Sequence, residues 1–156
     1  MNPEWKTFLA TQGASVEAED SVRFAASPAF PPCSLHELSH LGLISVTGED
    51  RVQFLQGQLT NDIRQLSPTH SQLAAYCTPK GRMLTILRLI DTGEQLLLQL
   101  PRELLPSVLR RLGMFVIRSR VGLRDASDDW VRMGLAGDCA RERLAATLLE
   151  LGRRFG

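Results

Sequence analysis

A short polar turn between two strand-like segments is the feature that most constrains how this chain folds. Residues 74–90, AAYCTPKGRMLTILRLI, place apolar and β-branched side chains on both sides of the turn TPKGR. Pro79 suits the second position of a β-turn, and Gly81 suits the fourth. The pattern predicts a hairpin with strands at 72–78 and 82–91. Two interpretations of its charged bend are open, a binding lip or a solvated turn.

The flanking sequence adds helices and strands in a mixed order. Apolar residues at helical spacing predict helices, and β-rich runs closed by glycine predict strands. The predicted helices begin at Pro3, Glu49, Pro101 and Asp138, and the other predicted strands are 22–24, 41–48, 95–100, 114–123 and 131–136. Hairpins mixed with β-α-β connections favour an α+β fold, a mixed or antiparallel sheet with helices on one face. Residues 70–124 alone are compatible with part of a ferredoxin-like layer.

Composition and charge exclude several classes of protein. The 156 residues are 44% hydrophobic and 22% charged, as in soluble globular proteins. Eighteen basic and 17 acidic side chains give a net charge of +1, which does not support a general binder of nucleic acid or membrane surfaces. No apolar run approaches the roughly 20 residues of a membrane span, and the N-terminus lacks the apolar segment of a signal peptide. We therefore expect a cytoplasmic protein.

The cysteines agree with that expectation. Cys33, Cys77 and Cys139 are odd in number and widely spaced, and no CxxC pair occurs. We interpret each of them as a small core residue rather than a reactive thiol.

The segment HELSH at residues 36–40 matches the zinc-hydrolase pattern H-E-x-x-H, in which two histidines one helical turn apart bind the metal. That chemistry requires a sustained helix, but the segment follows Pro31 and Pro32 and precedes Gly42 and a predicted strand. His70 and Asp62 are only weak candidates for a third ligand. We therefore expect no metal site and interpret HELSH as a polar turn.

Two motifs together carry a resemblance to a known family. At their spacing, FLQGQLTNDI (residues 54–63) and TPKGR resemble the N-terminal part of YgfZ-type folate-binding proteins, which are relatives of the glycine-cleavage aminomethyltransferase, or T-protein. LGLISVTGED and LRRLGMFVIRSRVGL extend the match to about residues 35–136. The resemblance implies ferredoxin-like lobes around a folate pocket, a C-terminal β-barrel, and binding of tetrahydrofolate or a derivative. It also implies a role in maturing or repairing iron–sulfur enzymes, including tRNA-modifying ones.

The chain departs from the family pattern in three places. The downstream signature K-G-C-[YF]-x-G-Q-E is absent. We therefore expect an N-terminal helix and connector over residues 1–34 and an incomplete folate-binding domain, lacking its C-terminal half, over residues 35–156. Leu41 stands where many relatives have a tryptophan, and it cannot stack on folate in the same way. Leu84 and Thr85 stand near the positions where aminomethyltransferases have acidic residues, so we expect no aminomethyl transfer.

The resemblance and the residue chemistry give seven candidate folate-binding residues. Amide and carboxylate groups suit the edges of a pterin, basic groups suit the glutamate tail, and apolar groups suit the ring faces. The candidates are Leu41, Asn61, Asp62, Tyr76, Lys80, Arg82 and Arg118.

Each polar candidate has a structural alternative. Asn61 and Asp62 equally suit the end of a helix, and Tyr76 is more typical of a core or rim position. Lys80 and Arg82 have two interpretations. They form a basic lip that binds the glutamate tail or the acidic surface of a partner, or they are only the charged residues of a solvated turn. Arg118 alternates with apolar residues in a predicted strand, which favours the solvent side over an anion contact.

The leading functional hypothesis is a non-catalytic folate-binding accessory protein in iron–sulfur protein maturation. The alternatives are a folate-dependent aminomethyltransferase and a fragment that binds no ligand. Folate and iron–sulfur proteins are the expected partners, direct contact with nucleic acid or membrane is not expected, and the sequence does not define an oligomeric state.

Overall fold

The computed structural model describes residues 1–17, 21–24 and 33–155. The chain divides into two compact units, one of residues 1–2 and 40–130 and the other of residues 3–39 and 131–156. The predicted domain boundary after residue 34 falls inside the second unit. Three prolines of the predicted connector, Pro28, Pro31 and Pro32, lie outside the described residues.

The predicted elements occur in the predicted order with several changes of length, and two strands that were not predicted lie at residues 14–16 and 33–37. In chain order they are α1 (Pro3–Thr11), β1 (Ala14–Val16), β2 (Val22–Phe24), β3 (Cys33–Glu37), β4 (Leu41–Thr47), α2 (Arg51–Gln56), β5 (Gln72–Cys77), β6 (Met83–Asp91), β7 (Leu96–Pro101), α3 (Leu105–Gly113), β8 (Gly122–Asp125), β9 (Met133–Gly137) and α4 (Ala140–Phe155). Short 3₁₀ turns occupy residues 63–65, 102–104 and 127–129. Among the described residues, no helix is long and apolar enough to cross a membrane.

The first unit contains a five-stranded sheet in the order β5-β6-β7-β4-β8. Every neighbouring pair of strands is antiparallel. Strands β6, β7, β4 and β8 with α2 and α3 have the arrangement of a ferredoxin-like layer, and β5 is an added edge strand. The predicted α+β class is confirmed.

The core of this unit lies between one face of the sheet and the two helices. Strand β6 shows the division clearly, because Thr85, Leu87 and Leu89 are buried while Ile86 and Arg88 between them are exposed. The helices complete the core with their apolar faces. It includes Ile44, Val46, Phe54, Leu55, Tyr76, Leu96, Leu98, Leu100, Leu105, Val108 and Leu112.

The helix predicted from Glu49 is shorter than its apolar spacing indicates. Helix α2 ends at Gln56, and the chain then runs beside β5. Leu59 forms a β-bridge with Tyr76, Thr60 N donates to the Ala75 carbonyl at 3.1 Å, and Ala75 N donates to Thr60 Oγ1 at 2.9 Å. The backbone after Gly57 therefore forms hydrogen bonds with β5 instead of the hydrogen bonds that would continue the helix.

The strand predicted over residues 114–123 is wrong for most of its length. Helical-type bonds from Phe115 N to Leu112 O and from Val116 N to Gly113 O continue the end of α3. Further on, Arg120 N donates to Asp50 Oδ2 at 2.7 Å, and Asp50 N donates back to the Arg120 carbonyl. Only residues 122–125 join the sheet.

The second unit contains the antiparallel pairs β1–β2 and β3–β9 together with α1 and α4. Cys33 pairs with Gly137 across β3 and β9, which brings Cys33 close to Cys139. These two cysteines form a disulfide with a Cα–Cα distance of 5.7 Å. Their interpretation as separate core thiols is therefore wrong, whereas Cys77 is a half-buried free cysteine.

HELSH does not form the helix that a zinc hydrolase requires. His36 and Glu37 lie in β3, so their interpretation as part of a polar turn is wrong; the turn before β4 is at residues 39–40. Within the described ranges, no group of three or more histidine, cysteine or acidic residues is arranged to hold a metal.

A close backbone approach at Gly48 provides a test of this fold. Gly48 has a φ of +99°, and an added Cβ would overlap the carbonyl of Arg120. Gly93 has a similar φ of +86° but faces open space. We expect Gly93→Ala to lower the free energy of unfolding by about 1–2 kcal/mol through backbone strain alone.

Gly48→Ala carries the same strain plus the steric overlap, which adds about 1–3 kcal/mol. Urea denaturation of both variants measures the difference. Equal losses would contradict the close approach between Gly48 and Arg120.

Candidate functional site

The hairpin tip is a well-defined turn with two charged side chains exposed. Gly81 N donates to the Thr78 carbonyl at 2.9 Å, and Thr78 N donates to the Arg82 carbonyl at 2.8 Å. Gly81 has a φ of +76°, a left-handed conformation that glycine adopts without strain. The predicted turn is confirmed.

A shallow cavity of about 320 Å³ lies at this tip, lined by Thr78, Pro79, Lys80 and Arg82. Both charged side chains are exposed, and no ion pair joins either of them to an acidic residue in the described parts of the chain. The tip therefore presents two positive charges that are available to an anion.

Asp62 is already engaged by its neighbour. Its Oδ1 accepts hydrogen bonds from Arg64 N at 3.2 Å and Arg64 Nε at 2.8 Å, and its Oδ2 accepts one from Arg64 Nη2 at 3.0 Å. The hydrogen bond from the Arg64 side chain is the main cause that lowers the pKa of Asp62. The adjacent Asn61 is exposed and accepts a hydrogen bond from Thr60 Oγ1 at 3.1 Å. Asp62 thus begins the turn at 63–65, and a ligand would have to share its carboxylate with Arg64.

The remaining candidates occupy separate positions. Tyr76 is only 2% exposed and faces Thr85 across β5 and β6, so its ring is part of the core. Leu41 is half-buried at the start of β4, opposite Pro101. Arg118 is exposed in the bend between α3 and β8 rather than on a strand. Of the seven candidates, Lys80 and Arg82 are the two that line the tip cavity.

A second cavity involves residues that sequence reasoning did not select. It has a volume of about 390 Å³ and is lined by Leu84, Leu104, Ser107, Val108, Arg110, Arg111 and Met114. We call it the α3 cavity. Arg110 and Arg111 lie in the last turn of α3, where basic residues commonly offset the helix dipole. Nothing in the local pattern distinguishes them from such residues.

The two positions where aminomethyltransferases are expected to have acidic residues hold Leu84 and Thr85 in this chain. Leu84 is partly exposed and lines the α3 cavity. Thr85 is 5% exposed, and its hydroxyl donates to the Ile86 carbonyl at 3.0 Å. Neither side chain can carry the negative charge of a carboxylate.

These features match a fold with known representatives. The structure is similar to the crystal structure of the glycine cleavage system aminomethyltransferase T from Bartonella henselae, with a TM-score of 0.76. The similarity covers 94% of this chain and 43% of that chain at 18% sequence identity, so it shows the fold alone. The fold is therefore that of the aminomethyltransferase class.

Sequence comparison gives the closer relationship. The chain is 39% identical over 132 residues to the tRNA-modifying protein YgfZ of Yersinia pestis (strain Pestoides F). It is 38% identical over 132 residues to YgfZ of Yersinia enterocolitica. Each match covers 82% of this chain but 40% of the relative, so the chain spans less than half the length of these proteins. No family model matches the chain. The expected relationship to the YgfZ-type proteins is confirmed.

The described residues fit one end of a folate better than the other. The tip cavity offers the positive charge that the glutamate tail requires. The pterin requires a flat apolar slot with fixed donors and acceptors. Tyr76 is buried and the Asp62 carboxylate is bound to Arg64, so these two residues do not present such a slot.

The buried phenol of Tyr76 gives a pH-dependent prediction. Burial raises the pKa of the Tyr76 hydroxyl, and the nearby positive charge of Arg111 only partly opposes this effect. The folded state therefore retains the proton at pH values where the unfolded chain releases it, so stability falls as the pH rises above about 10. We expect Tyr76→Phe to lack this additional loss.

Urea denaturation of the parent protein and Tyr76→Phe at about pH 8 and about pH 11 measures this effect. At the lower pH the two should differ by no more than about 1.5 kcal/mol, because the variant loses at most the single interaction with Arg111. An identical loss of stability in both proteins at high pH would contradict the prediction.

Proposed function

We propose that this chain is a non-catalytic, folate-binding accessory protein that acts with iron–sulfur proteins and in tRNA modification. The observation that carries the proposal is the pair of exposed basic side chains, Lys80 and Arg82, beside an open cavity; neither forms an ion pair within the described residues. They lie in a chain related to YgfZ over four fifths of its length. The relatives are tRNA-modifying proteins by name, and the iron–sulfur role rests on the family resemblance.

In this proposal the hairpin tip binds the glutamate tail of a reduced folate. Lys80 contributes a mobile point charge, and the planar guanidinium of Arg82 can pair with a carboxylate through two hydrogen bonds. Both groups are exposed, so solvent screening limits each contact to about 0.2–1 kcal/mol. The tip should therefore contribute a small part of the binding free energy of folate rather than most of it.

Aminomethyl transfer is the alternative function, and the chemistry at positions 84 and 85 speaks against it. Transfer of the one-carbon unit requires a group that holds the amine or accepts its proton. Leu84 has no titratable group, and the hydroxyl of Thr85 is committed to the backbone. We therefore propose a role that uses bound folate without this transfer step.

Calorimetric titration with 5-formyltetrahydrofolate tests folate binding. We expect saturable one-site binding that the double variant Lys80→Ala/Arg82→Ala weakens by about 2- to 30-fold, the sum of two screened contacts. Lys6→Ala is the matched control, because Lys6 is an exposed lysine of α1 far along the chain from the hairpin. The absence of binding heat from folded protein would refute the folate assignment.

The same titration with 5-formyltetrahydropteroate, which lacks the glutamate, identifies the part of the ligand that the tip contacts. We expect its affinity to be equal in the parent protein and in the double variant. If the double variant weakens both ligands equally, the tip does not bind the tail.

Lysine acylation provides an independent check, because Lys6 and Lys80 are the two lysines of the sequence. A bound glutamate tail lowers the access of an acylating reagent to Lys80. We expect folate to slow the modification of Lys80 in mass spectra while Lys6, the internal reference, reacts at an unchanged rate. Equal rates at Lys80 with and without saturating folate would remove this residue from the site.

A further inference from the structure

The α3 cavity contains a positive charge that its surroundings do not neutralise. Arg111 is half-buried, and its Nε atom is shielded from solvent without a hydrogen-bond partner among the described residues. No acidic residue in the described parts of the chain forms an ion pair with Arg110 or Arg111. A desolvated guanidinium donor without an acceptor is costly, so such a group is most favourable when an anion is bound to it.

A second buried polar group lies beside this arginine. Tyr76 is almost completely buried, with 2% of its surface exposed. Burial raises the pKa of its hydroxyl, and the guanidinium of Arg111 is the polar group that opposes this shift, through its charge and a side-chain hydrogen bond that both lower the pKa. Arg111 Nε remains a shielded donor without a partner among the described residues, and the Tyr76 phenol is near enough to report on what binds there.

The cavity walls indicate what the rest of the ligand is like. Four of the seven lining residues are apolar, namely Leu84, Leu104, Val108 and Met114. The volume of about 390 Å³ exceeds what a bare carboxylate or phosphate fills. Apolar walls beside a buried cation favour a ligand with an apolar body and one anionic end.

We propose that the α3 cavity binds a small organic carboxylate, with its anionic group at Arg111 and its apolar body against the leucine, valine and methionine side chains. The planar guanidinium matches the geometry of a carboxylate. The proposal does not depend on folate binding at the hairpin tip, since the tip and the α3 cavity have no lining residue in common.

A purely structural role for Arg111 is the alternative. A cation in the last turn of a helix offsets the helix dipole, and Arg110 and Arg111 are both in that turn. That role is fulfilled by a solvated charge and does not require the burial of Nε. It predicts no response to an added carboxylate, so the two roles are experimentally separable.

The test uses the fact that Tyr76 is the single tyrosine of the sequence. Protein labelled with ¹³C at tyrosine Cζ gives one NMR signal, which reports on the phenol beside Arg111. Hexanoate is the probe, and hexanamide is its uncharged counterpart with the same apolar body. We expect hexanoate to shift the signal saturably and hexanamide to leave it nearly unchanged.

Variants locate the charge that is responsible. Arg111→Gln should weaken hexanoate binding about tenfold or more, because it removes a charge-assisted hydrogen bond. Arg111→Lys keeps the charge but not the planar geometry and should give an intermediate affinity. Arg143→Gln, at an exposed position of α4, should bind hexanoate like the parent protein.

Three results would overturn the proposal. They are the lack of a saturable shift at hexanoate concentrations of about 10 mM, an equal response to hexanamide, and unchanged affinity in Arg111→Gln. The first two comparisons use the parent protein, so they decide the matter even if the Arg111 variants do not fold.

Discussion

The burial of one face of the five-stranded sheet against α2 and α3 is the constraint on which the first unit depends. Strand side chains alternate between two faces, so the placement of Leu87 and Leu89 in the core forces Ile86 and Arg88 outward. A slip of one residue would exchange the two sets and bury the charge of Arg88. The register of β6 is therefore fixed by hydrophobic burial, and the hairpin tip is held at a defined place at the end of β5 and β6.

Local sequence patterns predicted the elements whose bonds are local. The TPKGR turn is determined by Pro79 and Gly81, and the two hairpin strands beside it follow from their apolar and β-branched residues. The prediction failed where distant residues compete for the backbone. The segment before β8 has strand-like alternation, but its backbone at Arg120 is bonded to Asp50, 70 residues away. The Cys33–Cys139 disulfide has a separation of 106 residues, and it depends on the β3–β9 pairing that no local pattern specifies.

The same distinction applies to the candidate sites. Turn chemistry alone places Lys80 and Arg82 in solvent, so their availability to an anion was predictable. The neighbourhood of Tyr76 and Arg111 was not, because it joins an edge strand to the end of a helix 35 residues later and depends on how the helix packs. Asp62 illustrates a third case: its side chain suits either a pterin or a turn, and the packing of Arg64 commits it to the turn.

The exposure of a charge determines what it can contribute to binding. At the hairpin tip, water and salt screen Lys80 and Arg82, so these side chains attract an anion over a distance but give little affinity on contact. Arg111 lies in a less polar environment where a single pairing is stronger and an unpaired donor is more costly. A ligand that carries an apolar body therefore gains more from the α3 cavity than a compact, strongly hydrated anion does. The tip and the α3 cavity should consequently differ in salt dependence, since screening weakens contacts of exposed charges much more than contacts of buried ones.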